Sequence, residues 1–487
     1  MAGAASRWAE AVLGWAGRQP GAVALVEPGG AARYGDLQQA AREVRHLLQA
    51  TAPAGQALDP GALALPNGLA FVAALLAAAS DGRPAALLPP TLPHAEMVRR
   101  AEEAGARWLL LPLEAGPTGR PVAGRIDALG LRLERWEGRG AGWRPGDLIA
   151  QLTSGADEPS KLAVRTGAAV WNEIVDFAAD AGRELVLSTL VATSLAHSYA
   201  LVGGTLTPLA LGGRVAVAPG PEREPVVALA RRSRPALLFG VPLLYRRLVE
   251  GEAEPDAFRS VLGFLSAGAP LERGVHDAFA EAYGRRIGQD YGSTEAGIMT
   301  LRLAWSEPLD GSVGRPVRHR QVTILDEADE PLPPRRTGEV VLRSPGLARA
   351  YLGPGGEERS RAAGLDRGFW RTGDMGWLDE EGHLFLAGRR SQLVRIDGHL
   401  LDVHALESAL SASPGVREAA VVPLGREPGS TTATGLRVVV AAPEVSRAEL
   451  EERCRRLGLE GLPVEVRFLP ALPRSAAGKI LRRLLLD

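Results

Sequence analysis

The first 120 residues alternate short apolar runs with longer stretches of helical spacing. "AVALVE" (22–27) is followed by apolar positions at helical intervals from about Tyr34 to Ala50. "GALAL" (61–65) precedes "AFVAALLAAAS" (70–80), and "PAALL" (84–88) precedes "TLPHAEMVRRAEEAG" (91–105) and "RWLLL" (107–111). Apolar runs this short suit buried strands, and the longer periodic stretches suit helices packed on them. The βαβα order predicts a mostly parallel sheet covered by helices. Thr91 is placed to cap the helix that follows it, with Pro93 near its first turn. The alternation resumes from Leu185 to about Tyr291.

At Gln321 the texture changes. "QVTILDEADEPLPPRRTGEVVLRS" predicts two strands joined by a polar, proline-rich turn, and "GHLFLAG" adds a third, so a β-rich subdomain is expected. A domain boundary is expected at "GRRSQLVRIDG", Gly388–Gly398. Beyond it come a helix near His404–Ser411, strands at "REAAVVPL" and "LRVVVAA", a helix near Ser446–Leu457 and a strand at "VEVRFL". Together they predict a small α+β domain of roughly 90 residues.

Composition narrows the class. A chain of 487 residues is long for one core, which again points to two or more domains. A net charge of −1 gives no electrostatic footprint for nucleic acid or an anionic membrane. Cys454 is the single cysteine, so an internal disulfide or a cysteine-based zinc cluster is excluded and a reducing cytoplasm fits. The N-terminus has no basic segment before an apolar run, so no signal peptide is expected. Leu185–Gly213 carries only His197 as a potential charge and is long enough to span a bilayer. Recurring Ser and Thr, with Gly203, Gly204 and Pro208, favour a buried strand followed by a buried helix instead.

Of the 56 Lys and Arg residues, only Lys161 and Lys479 are lysines. A position that keeps lysine in such an arginine-rich chain suggests a need for a compact ammonium. Lys161 ends "TSGADEPSK", where Thr153, Ser154 and Gly155 offer hydroxyls and glycine-freed backbone amides of the kind that bind phosphate. The spacing is not that of a Walker loop, and alone it reads equally as a surface turn. "QDYGSTEAG" (289–297) packs an aromatic, Tyr291, with Gly292, the Thr294 hydroxyl and the Glu295 carboxylate. Such a set can stack on a base, bond a phosphate and hold Mg2+. "WRTGDMGWLDEEGHLFLAGRR" carries Asp374 and Arg389, each after a glycine, and a carboxylate beside a nucleotide commonly accepts from ribose hydroxyls. The fourth element is Gly478–Lys479, close to the C-terminus.

In this order, with "GEVVLRSPGLARAYLG" between the second and third, these elements resemble the adenylate-forming superfamily of acyl- and aryl-CoA synthetases, peptide-synthetase adenylation domains and luciferases. The resemblance runs from "ARYGDL" to "PRSAAGKILRR". It implies an α/β fold: a large N-terminal domain of doubly wound sheets with a β-rich subdomain, and a small mobile α+β C-terminal domain. The domains would be 1–388 and 393–487, with a hinge at 389–392; at Ser391 relatives usually carry Asp or Lys. ATP and Mg2+ are the implied cofactors, with the thiol of CoA or phosphopantetheine as acceptor. Tyr291 would stack on adenine, with Gly268 and Ala269 lining that pocket. Thr294 would contact the α-phosphate and Glu295 would hold Mg2+. Asp374 would bind the ribose with Arg389 beside it, Lys479 would serve adenylation, and Gly398 would line the pantetheine tunnel. The implied activity is conversion of a carboxylic acid to acyl-AMP, then to a thioester.

Residues 153–162 depart from the family's T-S-G-[ST]-[ST]-G-x-P-K-G pattern. Asp157 and Glu158 replace a hydroxyl and a glycine, Pro159 and Ser160 are transposed, and Leu162 replaces the last glycine. Two carboxylates would oppose the phosphates, so a working but handicapped loop is expected. Residues 192–204 lack the acid that amino-acid-activating relatives use for an ammonium, which disfavours an amino-acid substrate. His197 would sit between pocket and tunnel, and an aryl or medium-length acyl acid fits. With the sequence ending at Asp487, the acceptor is expected to be CoA or a separate carrier protein. A homodimer, a non-catalytic adenylate-binding scaffold and an enzyme diverting the acyl-adenylate to another acceptor remain open.

Overall fold

The computed structural model describes residues 6–53, 58–138, 142–153, 160–303, 311–390, 392–426, 432–473, 480 and 482–486. The chain divides into two compact units. The larger comprises 1–323, 341–371 and 378–385; the second comprises 324–340, 372–377 and 386–487.

Two sheets dominate the larger unit. The nine-stranded sheet runs, in spatial order, Arg315–Pro316, Gly297–Arg302, Ile287–Ser293, Gly263–Ser266, Leu237–Gly240, Ser188–Val191, Arg214–Val217, Val23–Glu27 and Gly30–Arg33. Its inner pairs are all parallel, and antiparallel strands finish both edges. The eight-stranded sheet runs Ala350–Leu352, Leu162–Thr166, Asp147–Leu152, Ala85–Leu87, Gly61–Leu63, Trp108–Pro112, Leu131–Arg135 and Val122–Ile126. One large core joins residues of both sheets, such as Phe239 and Leu265 with Leu87 and Ile149, to the helices Arg7–Arg18, Tyr34–Ala50, Leu69–Ser80 and Gly167–Ala181. The Leu69–Ser80 helix is apolar on every side because it is buried on every side. Separate clusters cover the outer faces of the two sheets. The result is a five-layered αβαβα arrangement in which helices lie between two sheets.

The expected strands and helices of the first 112 residues are present, with one correction. The fourth helix begins at His94, with Pro93 in the capping position and no side-chain cap, so Thr91 is not the cap. Leu185–Gly213 forms a short helix, the strand Ser188–Val191 and a buried π-helical stretch, Tyr199–Leu206. The Thr205 hydroxyl donates to Ala200 O at 2.9 Å, and the Thr207 hydroxyl, at the start of the short helix Thr207–Ala210 that follows, donates to Val202 O at 2.8 Å, which accounts for threonines in so apolar a run. Among the described residues no helix is long and apolar enough to cross a membrane.

A four-stranded sheet has the order Gln321–Leu325, Gly338–Arg343, Trp370–Leu378 and Leu384–Arg389. The second unit adds a hairpin, Leu393–Ile396 with His399–Asp402, and a three-stranded sheet, Glu418–Leu424, Gly435–Ala441 and Val464–Phe468. The helices Val403–Ser411 and Arg447–Cys454 pack on that sheet. The second helix is shorter than the expected Ser446–Leu457. Ser446 is its N-cap, in a capping box with Glu449, and a π turn follows to Leu459, with Gly458 at φ +82°.

Candidate active site

In the larger unit, the strands Asp147–Leu152 and Leu162–Thr166 pair antiparallel and form the stem of the lysine loop. One residue beyond the last strand pair, Thr153 N donates to Lys161 O at 2.8 Å and Lys161 N donates to the Thr153 hydroxyl at 3.0 Å. The loop therefore closes as a hairpin at these two residues. Ser154, Gly155, Asp157 and Glu158 lie outside the described residues, as do Lys479 and the hinge position Ser391.

The tip of a second hairpin meets this stem. Ile287–Ser293 and Gly297–Arg302 pair antiparallel, with a register shift between Tyr291 and Gly292. The shift depends on glycine: a Cβ at Gly292 would lie 2.6 Å from Gly297 O. Thr294 and Glu295 occupy the connection, and the Thr294 hydroxyl reaches Leu152 O at 3.4 Å. Glu295 is buried, and one carboxylate oxygen accepts from the Tyr351 hydroxyl at 2.8 Å. Burial pushes its pKa up; hydrogen bonds from Tyr351, backbone and Ser293, together with the charge of Lys161, pull it down. A buried carboxylate whose charge is resisted in this way suits a hard cation. Mg2+ is usually held by one or two carboxylates plus substrate phosphates, so this single acid fits it. Tyr291 is half-buried and packs on a cluster that includes Tyr351, Ala163 and Ala348. Thus Thr153, Lys161, Tyr291, Thr294 and Glu295 form one neighbourhood.

Gly268 and Ala269 are exposed in the turn after the Gly263–Ser266 strand, and Gly268 has φ +86°. The segment bearing His197 is pinned by residues that sequence reading did not single out. Asn67 donates to Thr193 O and accepts from Leu195 N, each at 2.9 Å, and Gln151 donates to Ala196 O at 2.8 Å. Arg165, fully buried, donates to the Ser198 hydroxyl at 2.9 Å and pairs with buried Glu173 at 2.5 Å. The His197 ring keeps a solvent-facing side, yet desolvation by the surrounding protein lowers its pKa, which favours neutral imidazole. Asn67, Gln151, Arg165 and Glu173 lie outside any motif, and no sequence spacing points to them.

In the second unit, Asp374 is buried and follows Gly373, whose φ is +71°. Its N–H donates to the Thr372 hydroxyl at 2.9 Å, and that hydroxyl donates to Val340 O at 2.8 Å. Arg389 Nε lies 3.0 Å from Asp374 Oδ1, so the structure brings these two together, with the arginine side chain 51% exposed. Arg390 pairs with Glu339 at 3.0 Å. Gly398 is the second residue of the two-residue turn closing the Leu393–Asp402 hairpin; Asp397 and Gly398 both have positive φ, +47° and +82°. "RIDGHL" is a hairpin signature of the type I′ kind, so this element was available to sequence reading.

Residues 13–352 match the family model described as AMP-binding enzyme, and residues 405–479 the one described as AMP-binding enzyme C-terminal domain. A 3-hydroxybenzoate–CoA/4-hydroxybenzoate–CoA ligase of Thauera aromatica is 33% identical over 302 residues, 60% of this chain and 56% of the relative. At that level of identity the chain spans about half the length of its curated relatives. A feruloyl-CoA synthase of an Amycolatopsis species is 28% identical over 489 aligned positions, 95% of each chain. The fold is also that of O-succinylbenzoate coenzyme A synthetase from Bacillus subtilis, solved in complex with AMP. That chain has a TM-score of 0.79 and 24% identity, with 99% of this chain and 98% of that chain covered.

Proposed function

Because the chain belongs to the AMP-binding enzyme family, we propose that it is an ATP-dependent acid–thiol ligase acting on an aryl acid or a medium-length acyl acid. A carboxylate oxygen of the acid attacks the α-phosphorus of ATP; the bond to the bridging oxygen breaks, pyrophosphate leaves and acyl-AMP forms. A thiolate then attacks the acyl carbon and AMP leaves, giving the thioester. CoA is the acceptor named by the relatives, and a separate carrier protein is the alternative.

One observation carries this reading: Lys161 and the distant Thr294–Glu295 pair gather around the closed stem of the Thr153–Lys161 loop. Charge builds on phosphoryl oxygens in such a transfer, so positioned cations and N–H or O–H donors do most of the work. Thr153, Ser154, Gly155 and Lys161 would grip the outer phosphates, and Lys161 acts as a point charge. Thr294 would contact the α-phosphate, and Glu295 would hold the Mg2+ whose charge offsets that of the phosphate oxygens. Tyr291 would stack on adenine beside Gly292, Gly268 and Ala269. In the second unit Asp374 would take the ribose hydroxyls, with Arg389 beside it; Lys479 would serve adenylation and Gly398 the thiol. A hinge at 389–392 would let 393–487 serve the two half-reactions in turn. His197, neutral at the end of the pinned 193–198 segment, would face the acid. Aryl acids are favoured because hydroxybenzoate and ferulate appear in the relatives' names.

ATP–pyrophosphate exchange over a panel of aromatic and aliphatic carboxylic acids tests the proposal. Exchange with at least one acid is expected, and Lys479→Ala should abolish it while sparing thioester formation from supplied acyl-AMP. Nucleotide binding without exchange for any acid would replace it with an adenylate-binding scaffold.

A further inference from the structure

Tyr351 lies in "RAYLG", a stretch given no role by the reading above. It sits on the edge strand Ala350–Leu352, antiparallel to Leu162–Thr166, with Tyr351 opposite Ala163. Side chains alternate along a strand, so Lys161, two residues before Ala163, falls on the same face as Tyr351 and diagonally across from it. The Lys161 ammonium accordingly stands over the Tyr351 ring, 5.4 Å from its centroid. The ring's hydroxyl, at the far end, donates to Glu295 Oε1 at 2.8 Å. The same segment holds the backbone of Glu295, because Ala348 N donates to Glu295 O at 2.5 Å. Tyr351 is 5% exposed, and its own N–H donates to the Ser360 hydroxyl at 2.9 Å, so the ring is anchored at its base.

We infer that Tyr351 is a positioning residue for the ATP site. Its hydroxyl fixes the Glu295 carboxylate that receives the divalent cation, and its ring face fixes the Lys161 ammonium that meets the phosphates. One aromatic side chain thereby sets the distance between the two charges that must both reach the triphosphate. The inference rests on the reading of Glu295 as the cation ligand. The two contacts make separable contributions: a hydrogen bond to a charged group and a cation on a ring face.

Tyr351→Phe keeps the ring and removes the hydroxyl; Tyr351→Leu removes both contacts. ATP affinity is measured by isothermal titration calorimetry with and without Mg2+ for the wild type, both variants and Glu295→Gln, with thermal melting as the folding control. Tyr351→Phe should lower the Mg2+-dependent gain in ATP affinity about tenfold and leave metal-free ATP binding unchanged. Tyr351→Leu should weaken metal-free binding as well. Glu295→Gln should remove most of the gain, and adding Tyr351→Phe to it should cost little more. If Glu295→Gln removes the gain but Tyr351→Phe behaves as wild type, the inference is overturned while the cation role of Glu295 stands. If Glu295→Gln leaves the gain intact, or the wild type shows none, the cation role falls and the inference with it. Should the leucine variant fail to fold, the phenylalanine variant still decides.

Discussion

The polar groups nominated for one nucleotide are held in two different ways. In the larger unit Glu295 is buried, hydrogen-bonded by Tyr351 and close to Lys161, on backbone fixed by two hairpins. In the second unit buried Asp374 is met by Arg389, whose side chain is half exposed. The first arrangement resists charging of its acid and gains by receiving a cation. The second already has its acid compensated by a side chain that water screens and that can turn aside at little cost. On the proposed roles, phosphate and metal chemistry would fall to the costly, preorganised set, and ribose recognition to the exchangeable one.

The comparison would be broken most severely by damage to what holds the larger unit's site in place. Arg165 and Glu173 are both fully buried, and Arg165 also braces Ser198 and donates to Gly346 O at 3.1 Å. Arg165→Met would leave Glu173 as an unpaired buried charge. A loss of about 3–5 kcal/mol is expected, read by urea denaturation. A loss under about 1 kcal/mol, as for an exposed pair, would remove the premise that this side is the preorganised one.

Glu295→Gln comes next. It should lower the adenylation rate on the order of 100-fold, with the loss largest at low Mg2+, because one anionic oxygen for a hard cation is removed. Stability should not fall, since the wild-type carboxylate resists burial. Pyrophosphate exchange against Mg2+ concentration measures the first, and denaturation the second. Asp374→Asn should have a smaller effect, raising the KM for ATP about tenfold, or about 1.4 kcal/mol. Arg389→Ala should change folding stability by less than about 1 kcal/mol. Equal effects of the substitutions at 295 and 374 on the Mg2+ requirement would erase the distinction between the two regions.

The contrast also tracks what could be read from the sequence. The strands Val23–Glu27 and Trp108–Pro112 were legible because a strand buried on both faces is simply a short apolar run. Tyr291, Thr294 and Glu295 were legible as a contiguous motif, and the hairpin tip keeps them together. Tyr351, Asn67, Gln151 and Arg165 were not, since each acts through a contact distant in sequence and carries no periodicity of its own. The Asp397–Gly398 turn carries a sufficient local signal of its own, an Asp-Gly pair between two apolar runs. The Thr91 cap failed for a local reason: Pro93 takes the cap position, so the helix starts at His94 instead of nearer Thr91.

A comparably small effect separates burial from partnering. Asp290, next to Tyr291 on the Ile287–Ser293 strand, is as buried as Glu295, yet neither of its carboxylate oxygens has a hydrogen-bond partner among the described residues. Desolvation pushes its pKa well above the usual carboxylate range; the nearby Glu173 charge adds to the rise and Arg320 opposes it. In the unfolded chain the same carboxyl titrates near pH 4. Between that pH and the raised folded value, the folded protein keeps a proton that the unfolded chain has released. Stability from this group therefore declines as pH rises through that window, and is independent of pH below it. Asp290→Asn cannot titrate, so the variant should match or exceed wild type near pH 7, by on the order of 1 kcal/mol, and the difference should shrink as pH falls toward 4. Urea denaturation of both proteins at pH 4, 5, 6 and 7 measures it. A wild type that gains stability relative to the variant as pH rises would mean that Asp290 is charged and paired in the fold, and that burial alone does not set the behaviour of carboxylates on this strand.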